Sequence, residues 1–220
     1  MTEETEAAGL SRLVIPVPLV AERGRSASLD LTRILGPTSY TVTLFHSSVR
    51  HPIHVERGER YELANLREPS SNRGLEFLAT FRKAPFSVTA SYTFVHSRQL
   101  ELGQRVDTPL TPRHSFGIVG MWEKEKAGRI GIESYYTGRQ RLEQNTYRGE
   151  SKPYVLFGFL AKRRLGRVRL FVNVENLTDV RQTRWDPLLR PSRGIDGRWT
   201  VDAWSPRDGR VLNGGVRLKF

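Results

Sequence analysis

The chain has 220 residues, no cysteine, a net charge of +12 and a mean hydropathy of −0.47. The absence of cysteine excludes a disulfide framework and thiolate metal sites. The sequence has no run of about 18 apolar residues, which excludes a membrane-spanning helix but not a barrel with a polar interior. The excess of Lys and Arg indicates a nucleic acid, an anionic lipid or an anionic ligand as partner.

Residues 1–25 predict an extended, loop-like lead-in before the folded part of the chain. Pro16 and Pro18 interrupt its apolar positions, which argues against both a helix and a central strand. The first nine residues are acidic and have neither the basic nor the apolar region of a secretory signal. An outer-membrane protein needs such a signal, so a membrane location implies that the chain is a piece of a longer protein.

From residue 26 onward, apolar and polar residues alternate in runs that predict β-strands. Successive side chains of a strand point to opposite faces, so each run has one apolar and one polar face. The clearest alternation is in residues 86–94, where Ser and Thr alternate with Phe86, Val88, Ala90, Tyr92 and Phe94. The apolar side of the last strand carries Leu212, Gly214, Val216, Leu218 and Phe220. About nine such strands are expected within residues 26–220.

The predicted connections alternate between short turns and long loops. In an antiparallel meander, successive connections lie at opposite ends of the sheet, so all short turns share one end and all long loops the other. This asymmetry is typical of outer-membrane barrels, with short periplasmic turns and long extracellular loops, whereas a soluble sandwich has Greek-key connections. Aromatic residues near strand ends fit a membrane boundary: Tyr40, Phe86, Trp122, Tyr136 and Tyr154. The prediction is an all-β, antiparallel up-and-down meander forming part of a transmembrane β-barrel.

The long loops are rich in Arg and Trp, a combination that suits planar anionic ligands such as catecholate or carboxylate chelates. The alternative is contact with anionic lipopolysaccharide, or solubility of an outer loop. The candidate ligand-binding residues are Arg139, Arg141, Arg181, Arg184, Trp185, Trp199 and Trp204.

No arrangement of residues in the sequence predicts catalysis. The five histidines are scattered, and His51 and His54 lack a convincing third metal ligand. The sequence has no nucleophile-elbow motif, phosphate loop or paired-carboxylate motif. We therefore expect no enzyme activity, no cofactor and no metal site.

The segment before the last long loop carries Asn173, Glu175, Asn176 and Leu177. This Asn-x-x-Asn-Leu-type motif, followed by a final strand that ends in Phe, resembles the last two strands of TonB-dependent outer-membrane receptors. Residues 72–76, 90–94 and 110–114 resemble further segments of that family, in the same order. The resemblance implies an outer-membrane location and energised uptake of scarce ligands such as ferric siderophores or cobalamin.

The resemblance also implies partners. The family's fold is an amino-terminal plug inside a 22-stranded barrel, so this chain would supply only the carboxy-terminal portion of the barrel. TonB would then be reached only through the missing plug, and the missing amino-terminal barrel would be needed for closure. The final strand, with Val216, Leu218 and Phe220, would be read by the barrel-assembly machinery. The expectation is a fragment that is inactive alone and contacts outer-membrane lipid and lipopolysaccharide.

Two other functions stay open. A small porin-like channel would need a signal peptide and an even strand count. A soluble basic β-protein binding nucleic acid would need cations and aromatic residues concentrated on one sheet face. Because the Arg and Lys residues cluster in turns and loops, we expect no nucleic-acid partner.

Overall fold

The computed structural model describes residues 13–57, 61–101, 103–125, 127–194 and 197–218. Its strands are, in chain order, β1 Leu13–Val14, β2 Arg23–Leu35, β3 Thr38–Arg50, β4 Ile53–Arg57, β5 Tyr61–Asn65, β6 Ser70–Lys83, β7 Phe86–Glu101, β8 Gln104–Asp107, β9 His114–Lys124, β10 Gly128–Thr137, β11 Tyr154–Leu165, β12 Val168–Glu175 and β13 Val211–Leu218. A single 3₁₀ turn, Gln182–Arg184, is the one helical element among the described residues. No helix in this part of the chain is long and apolar enough to cross a bilayer.

Nine strands form a continuous antiparallel sheet in the order β2-β3-β6-β7-β9-β10-β11-β12-β13. Each strand pairs with the next one along this path, and β8 pairs with the end of β7. The predicted all-β meander of about nine strands is confirmed. A small second sheet, in the order β1-β5-β4, is built from the lead-in and the loop between β3 and β6.

The lead-in is partly structured. Residues Leu13–Val14 pair in parallel with β5, and the first long strand begins at Arg23, three positions before the predicted boundary. Pro16 and Pro18 lie outside any strand, as expected from their missing N–H groups. The side chain of Asn65 fixes this segment, because it accepts from the N–H of Val20 at 2.7 Å and donates to its carbonyl at 2.9 Å.

The connections alternate in length as predicted. The turns after β2, β6, β9 and β11 are two or three residues long, and the loops after β3, β7, β10 and β12 are the long ones. The long-loop end also contains the strand extensions. Strand β7 has 16 residues and β6 has 14, more than the 9–11 that a tilted strand needs to cross a bilayer. These strands are therefore longer than a bilayer crossing requires, and they continue into the long loops.

The pairing register assigns each strand residue to one of two faces, because residues directly opposite each other point the same way. One face is apolar across all nine strands. It carries Leu29, Leu31, Val42, Leu44, Phe77, Phe81, Val88, Tyr92, Phe116, Ile118, Ile130, Ile132, Phe157, Phe159, Leu170, Val172, Leu212 and Val216. Four of the five end-strand aromatics share this face, but Tyr154 lies opposite Thr137 on the other face, so its predicted place at the lipid boundary is wrong.

The apolar face is exposed. Leu29 is 70% exposed, Ile132 61% and Val216 67%, and the buried hydrophobic side chains among the described residues are Leu142 and Trp204, both in loops. A soluble protein rarely leaves so large a continuous apolar surface uncovered. The location of the apolar residues is therefore the reverse of a globular core, and it suits a lipid environment.

The opposite face of the sheet carries mainly polar and small side chains, together with a few apolar ones such as Ile34 and Leu78. Thr43 donates to the carboxylate of Asp30 at 2.5 Å across β2 and β3. The ring of Phe171 lies over Gly215 on the neighbouring strand, where a Cβ atom would come within 2.7 Å of the ring. A larger residue than glycine at position 215 would therefore displace that ring. Glycine allows an aromatic side chain to lie along this face instead of standing away from it.

Candidate ligand-binding loop layer

The long loops form a packed layer at one end of the sheet, which we call the loop layer: residues 51–69, 102–113, 138–153 and 176–210, as far as the structure describes them. The loop after β10 and the loop after β12 meet through four polar contacts that join residues far apart in sequence. They are Arg148 with Asp186, Gln140 with Trp204, Asn145 with Asp202, and Tyr147 with Leu189. The sheet fixes where each loop starts and ends, and these contacts fix the loops against each other.

Gln182, in the 3₁₀ turn, lies at the centre of the last loop and is fully buried. Its Oε1 accepts the backbone N–H of Trp204 at 2.8 Å, and its Nε2 donates to the carbonyl of Asp202 at 2.6 Å. Its own N–H donates to the carbonyl of Pro206 at 2.9 Å. The amide side chain and the backbone N–H of Gln182 thus supply hydrogen-bond partners for residues 202, 204 and 206.

An aromatic pair lies next to Gln182. The rings of Trp185 and Trp204 stack with centroids 5.4 Å apart and an interplanar angle of 17°. The guanidinium of Arg148 lies 5.4 Å from the centroid of the Trp204 ring and forms an ion pair with Asp186 at 2.5 Å. Trp204 is 4% exposed and Asp186 6% exposed. A buried carboxylate needs such a partner, so this group ties the loop after β10 to the loop after β12.

A second tie connects the loop after β10 to the end of β7. Arg141 contacts the Glu101 carboxylate at 2.6 Å and donates to the carbonyl of Asp107 at 3.3 Å. The hydrogen bond from Arg141 lowers the pKa of Glu101 below its ordinary value, against the opposing effect of burial. The same bond raises the pKa of Arg141. Both charges are retained at neutral pH, and the pair anchors the loop.

The Asn-Leu motif builds a turn that joins the end of β12 to the start of β13. Asn176 has a φ of 49°, a backbone conformation that asparagine tolerates better than most residues. Its side chain accepts from the N–H of Val180 at 2.8 Å and donates to the carbonyls of Val180 and Asp208. Asn173 donates to Glu175 at 2.9 Å on the polar face. The N–H of Leu177 donates to the carbonyl of Phe157 at 2.7 Å.

Asp179 completes this turn. Its Oδ1 accepts the backbone N–H of Arg210 at 3.0 Å, and its carboxylate also contacts Arg181 and Arg184. The N–H of Arg210 is the main cause of a pKa of Asp179 below its ordinary value, and the two guanidinium groups lower it further. The carboxylate therefore stays ionised and clamps the loop where it returns to the sheet.

The structure divides the seven candidate ligand-binding residues into two groups. Trp204, Trp185 and Arg141 are held inside the loop layer by the contacts described above. Arg139, Arg181, Arg184 and Trp199 are more exposed. The side chain of Arg139 is 73% exposed and that of Trp199 51%, with the Arg193 guanidinium 4.9 Å from the Trp199 ring centroid. Arg181 and Arg184 face Asp179, so their charges are partly matched.

Other residues of the layer were not predicted from the sequence. No periodicity or motif in the sequence marks four of them: Gln182, Asp179, Glu101 and Asp186. The one exception is that Asp179 lies close to the Asn-Leu motif. No group of three or more His, Asp or Glu within the described ranges could hold a metal ion. His54 instead lies 3.8 Å from Glu143.

In the terminal strand, Val216 and Leu218 lie on the apolar face, 67% and 57% exposed. Phe220 lies outside the described residues. The role of this end in membrane insertion stays a prediction.

The fold and the loop layer define a class: an open segment of an outer-membrane-type β-barrel, apolar on one face and capped at one end by packed polar loops. The barrels that it matches are those of TonB-dependent siderophore and iron receptors. The ferric-catecholate import receptor Fiu of E. coli superposes with a TM-score of 0.64 and 16% identity, over 92% of this chain and 28% of Fiu. The siderophore receptor PirA of Acinetobacter baumannii gives 0.65 and 14%, over 92% and 32% of the two chains.

The ferric enterobactin receptor PfeA of Pseudomonas aeruginosa gives a TM-score of 0.64 and 17% identity, over 92% of this chain and 32% of PfeA. At these identities the likeness is one of fold. The chain spans about a third of the length of the receptors it matches. No protein-family model and no curated protein sequence matches the chain.

Proposed function

We propose that this chain is the carboxy-terminal barrel portion of a TonB-dependent outer-membrane receptor for a scarce ligand of the ferric siderophore or cobalamin type, and that it is inactive without the rest of that receptor. The observation that carries the proposal is the nine-stranded meander itself. It is apolar on one face across every strand, has all its long loops at one end, and superposes on receptor barrels over 92% of its length.

The sheet edges favour a larger barrel over a self-contained porin-like channel. Among the described residues, β2 pairs only with β3 and β13 only with β12. An open edge is costly in lipid because its backbone N–H and C=O groups have no partners there. Further strands must therefore complete the sheet. We propose three other partners: a plug through which TonB is contacted, lipopolysaccharide, and the barrel-assembly machinery.

The orientation can be tested by cysteine labelling, because the native chain has no cysteine. Ser192→Cys places a thiol in the last long loop, and Glu125→Cys places one in the short turn between β9 and β10; both positions are exposed. A membrane-impermeant maleimide should label Ser192→Cys on intact cells. It should label Glu125→Cys only after the outer membrane is permeabilised. Equal labelling of both on intact cells would refute the proposed insertion.

The exposed residues of the loop layer are the proposed ligand contacts. Trp199 offers an open ring next to the Arg193 guanidinium, an arrangement that suits an anionic aromatic chelate. In cells that carry the assembled receptor, Trp199→Ala should weaken binding of a ferric catecholate about tenfold, since such a contact is worth roughly 1–2 kcal/mol. Leu189→Ala, which truncates an exposed side chain of the same loop, is the matched control and should bind normally.

A further inference from the structure

A groove of about 710 Å³ lies at the short-turn end of β9, β10, β11 and β12. Most residues that line it belong to the apolar face, as the pairing register shows. Its walls include Trp122, Ile130, Leu170 and Val172. Between them lies Ala161, directly opposite Ile130 on one side and Val172 on the other. The small side chain of Ala161 among larger neighbours creates the depression.

Two cations stand where the turn-side end of this groove adjoins a smaller pocket: Arg163 lines both, and Lys124 lines the smaller one. Arg163 and Lys124 are both opposite Gly128, on either side of it, and share the parity of the apolar face. Both are exposed, and neither forms an ion pair with another residue of the described ranges. The nearby Glu123 points to the other face, where it pairs with Arg129 at 2.7 Å. The remaining nearby carboxylate, Glu125, lies in the turn itself.

Lys124 lies two positions from Trp122 on the same face of β9, and other cations also lie beside aromatic rings at this end of the apolar face. Arg33 is directly opposite Tyr40 across β2 and β3, and Lys83 is directly opposite Phe86 across β6 and β7. Aromatic rings favour the boundary between hydrocarbon and headgroups. The cations therefore lie at the level of lipid phosphates, with apolar surface on the hydrocarbon side.

We propose that the groove binds an anionic phospholipid of the periplasmic leaflet. Its phosphate lies between Arg163 and Lys124, and one acyl chain follows Ala161 between Trp122 and Leu170. The inference rests on the proposed membrane function, because that function places the short turns on the periplasmic side. Unpaired cations at one end and an apolar channel behind them match the two halves of a phospholipid, whereas a free phosphate would leave the channel empty.

The test is quenching of tryptophan fluorescence by lipids brominated on the acyl chain. The full chain, in its membrane assembly, is reconstituted in phosphatidylcholine vesicles that contain a minor fraction of brominated phosphatidylglycerol or of brominated phosphatidylcholine. The Trp122 signal is the difference between wild type and Trp122→Phe. Quenching by phosphatidylglycerol should exceed quenching by phosphatidylcholine at least about fivefold, and each cation removed should lower this ratio by up to about fivefold.

Matched variants separate the cations from charge in general. Arg163→Gln and Lys124→Gln should reduce the preference for phosphatidylglycerol. Arg167→Gln removes the same charge from the adjoining short turn, outside the lining of both the groove and the smaller pocket beside it, and should leave the preference unchanged. Ala161→Leu fills the depression and should reduce quenching by phosphatidylglycerol while all cations remain.

The possible failures are distinguishable. Equal quenching by the two lipids would overturn the inference, because Trp122 would then touch ordinary bulk lipid, and the proposed function would stand. If Trp122 is shielded from both lipids, the variant Trp122→Phe/Phe157→Trp reports on the middle of the same face. Quenching there would mean that a polypeptide, such as a second copy, covers the groove, which also overturns the inference. No quenching at either position would overturn the proposed membrane function itself.

Discussion

Replacement of Gln182 by methionine should loosen the loop layer while leaving the sheet intact. Methionine has a similar length, but its thioether cannot donate a hydrogen bond and accepts one only weakly. The variant leaves the N–H of Trp204 and the carbonyl of Asp202 without their partner in a fully buried site. Each unsatisfied buried group costs about 1–3 kcal/mol, so the pair should cost about 3 kcal/mol of local stability.

Hydrogen exchange at residues 202–205 measures that cost directly. A loss of about 3 kcal/mol raises the local opening equilibrium roughly a hundredfold, and exchange at the Trp204 N–H should accelerate by about that factor. Exchange within β7 should not change. Thr183→Ala, at the exposed neighbouring position, should behave as wild type. Exchange at Trp204 within about twofold of wild type would show that Gln182 does not organise this loop.

Two further predictions concern the points where loops are tied to strands. Gly209→Ala would place a Cβ atom against Oδ1 of Asp179, so hydrogen exchange at the start of β13 should accelerate about tenfold. Gly149→Ala is the control, because the space around its Cβ atom is open, and it should leave hydrogen exchange unchanged. The ion pair of Glu101 with Arg141 should make the loop after β10 sensitive to acid. The pKa of Glu101 is lower in the folded state than in the unfolded state. The ion pair therefore stabilises the loop fully above the unfolded pKa near 4.5, and this stabilisation is lost as the pH falls through the folded pKa. Limited proteolysis of this loop should therefore accelerate as the pH falls below about 4.5. The variant Glu101→Gln should be cleaved readily at neutral pH as well. A rate of wild-type cleavage that does not depend on pH would contradict this prediction.

The faces of the sheet were predictable from the sequence because the strand period is two. The alternation of residues 86–94 assigned Phe86, Ala90 and Phe94 to one face, and the register confirms it. The order of short and long connections predicted the meander, since antiparallel neighbours need no crossover. Tyr154 shows where the reasoning fails: it has the opposite parity to Phe157 and Phe159 in the same strand, so a position near the strand end did not by itself place its ring on the apolar face.

The loop layer was much less predictable. Composition marked Trp185, Trp199 and Trp204 alike as candidate ligand contacts. The structure separates them, because the burial of Trp204 depends on Arg148 and on Gln182, which approach it only after the loops have met. No local period encodes such contacts, and a buried glutamine looks the same in sequence as an exposed one.

The sequence by itself determined the strands, their faces and the end at which the loops gather, because these follow from the geometry of a single extended chain and its nearest neighbours. Only the tertiary structure decided which polar residues hold the loop layer together and which remain open to a ligand. It also revealed the groove between Trp122 and Leu170, whose residues come from four strands. Contacts of this kind depend on the register between strands and on loops that meet from distant parts of the chain.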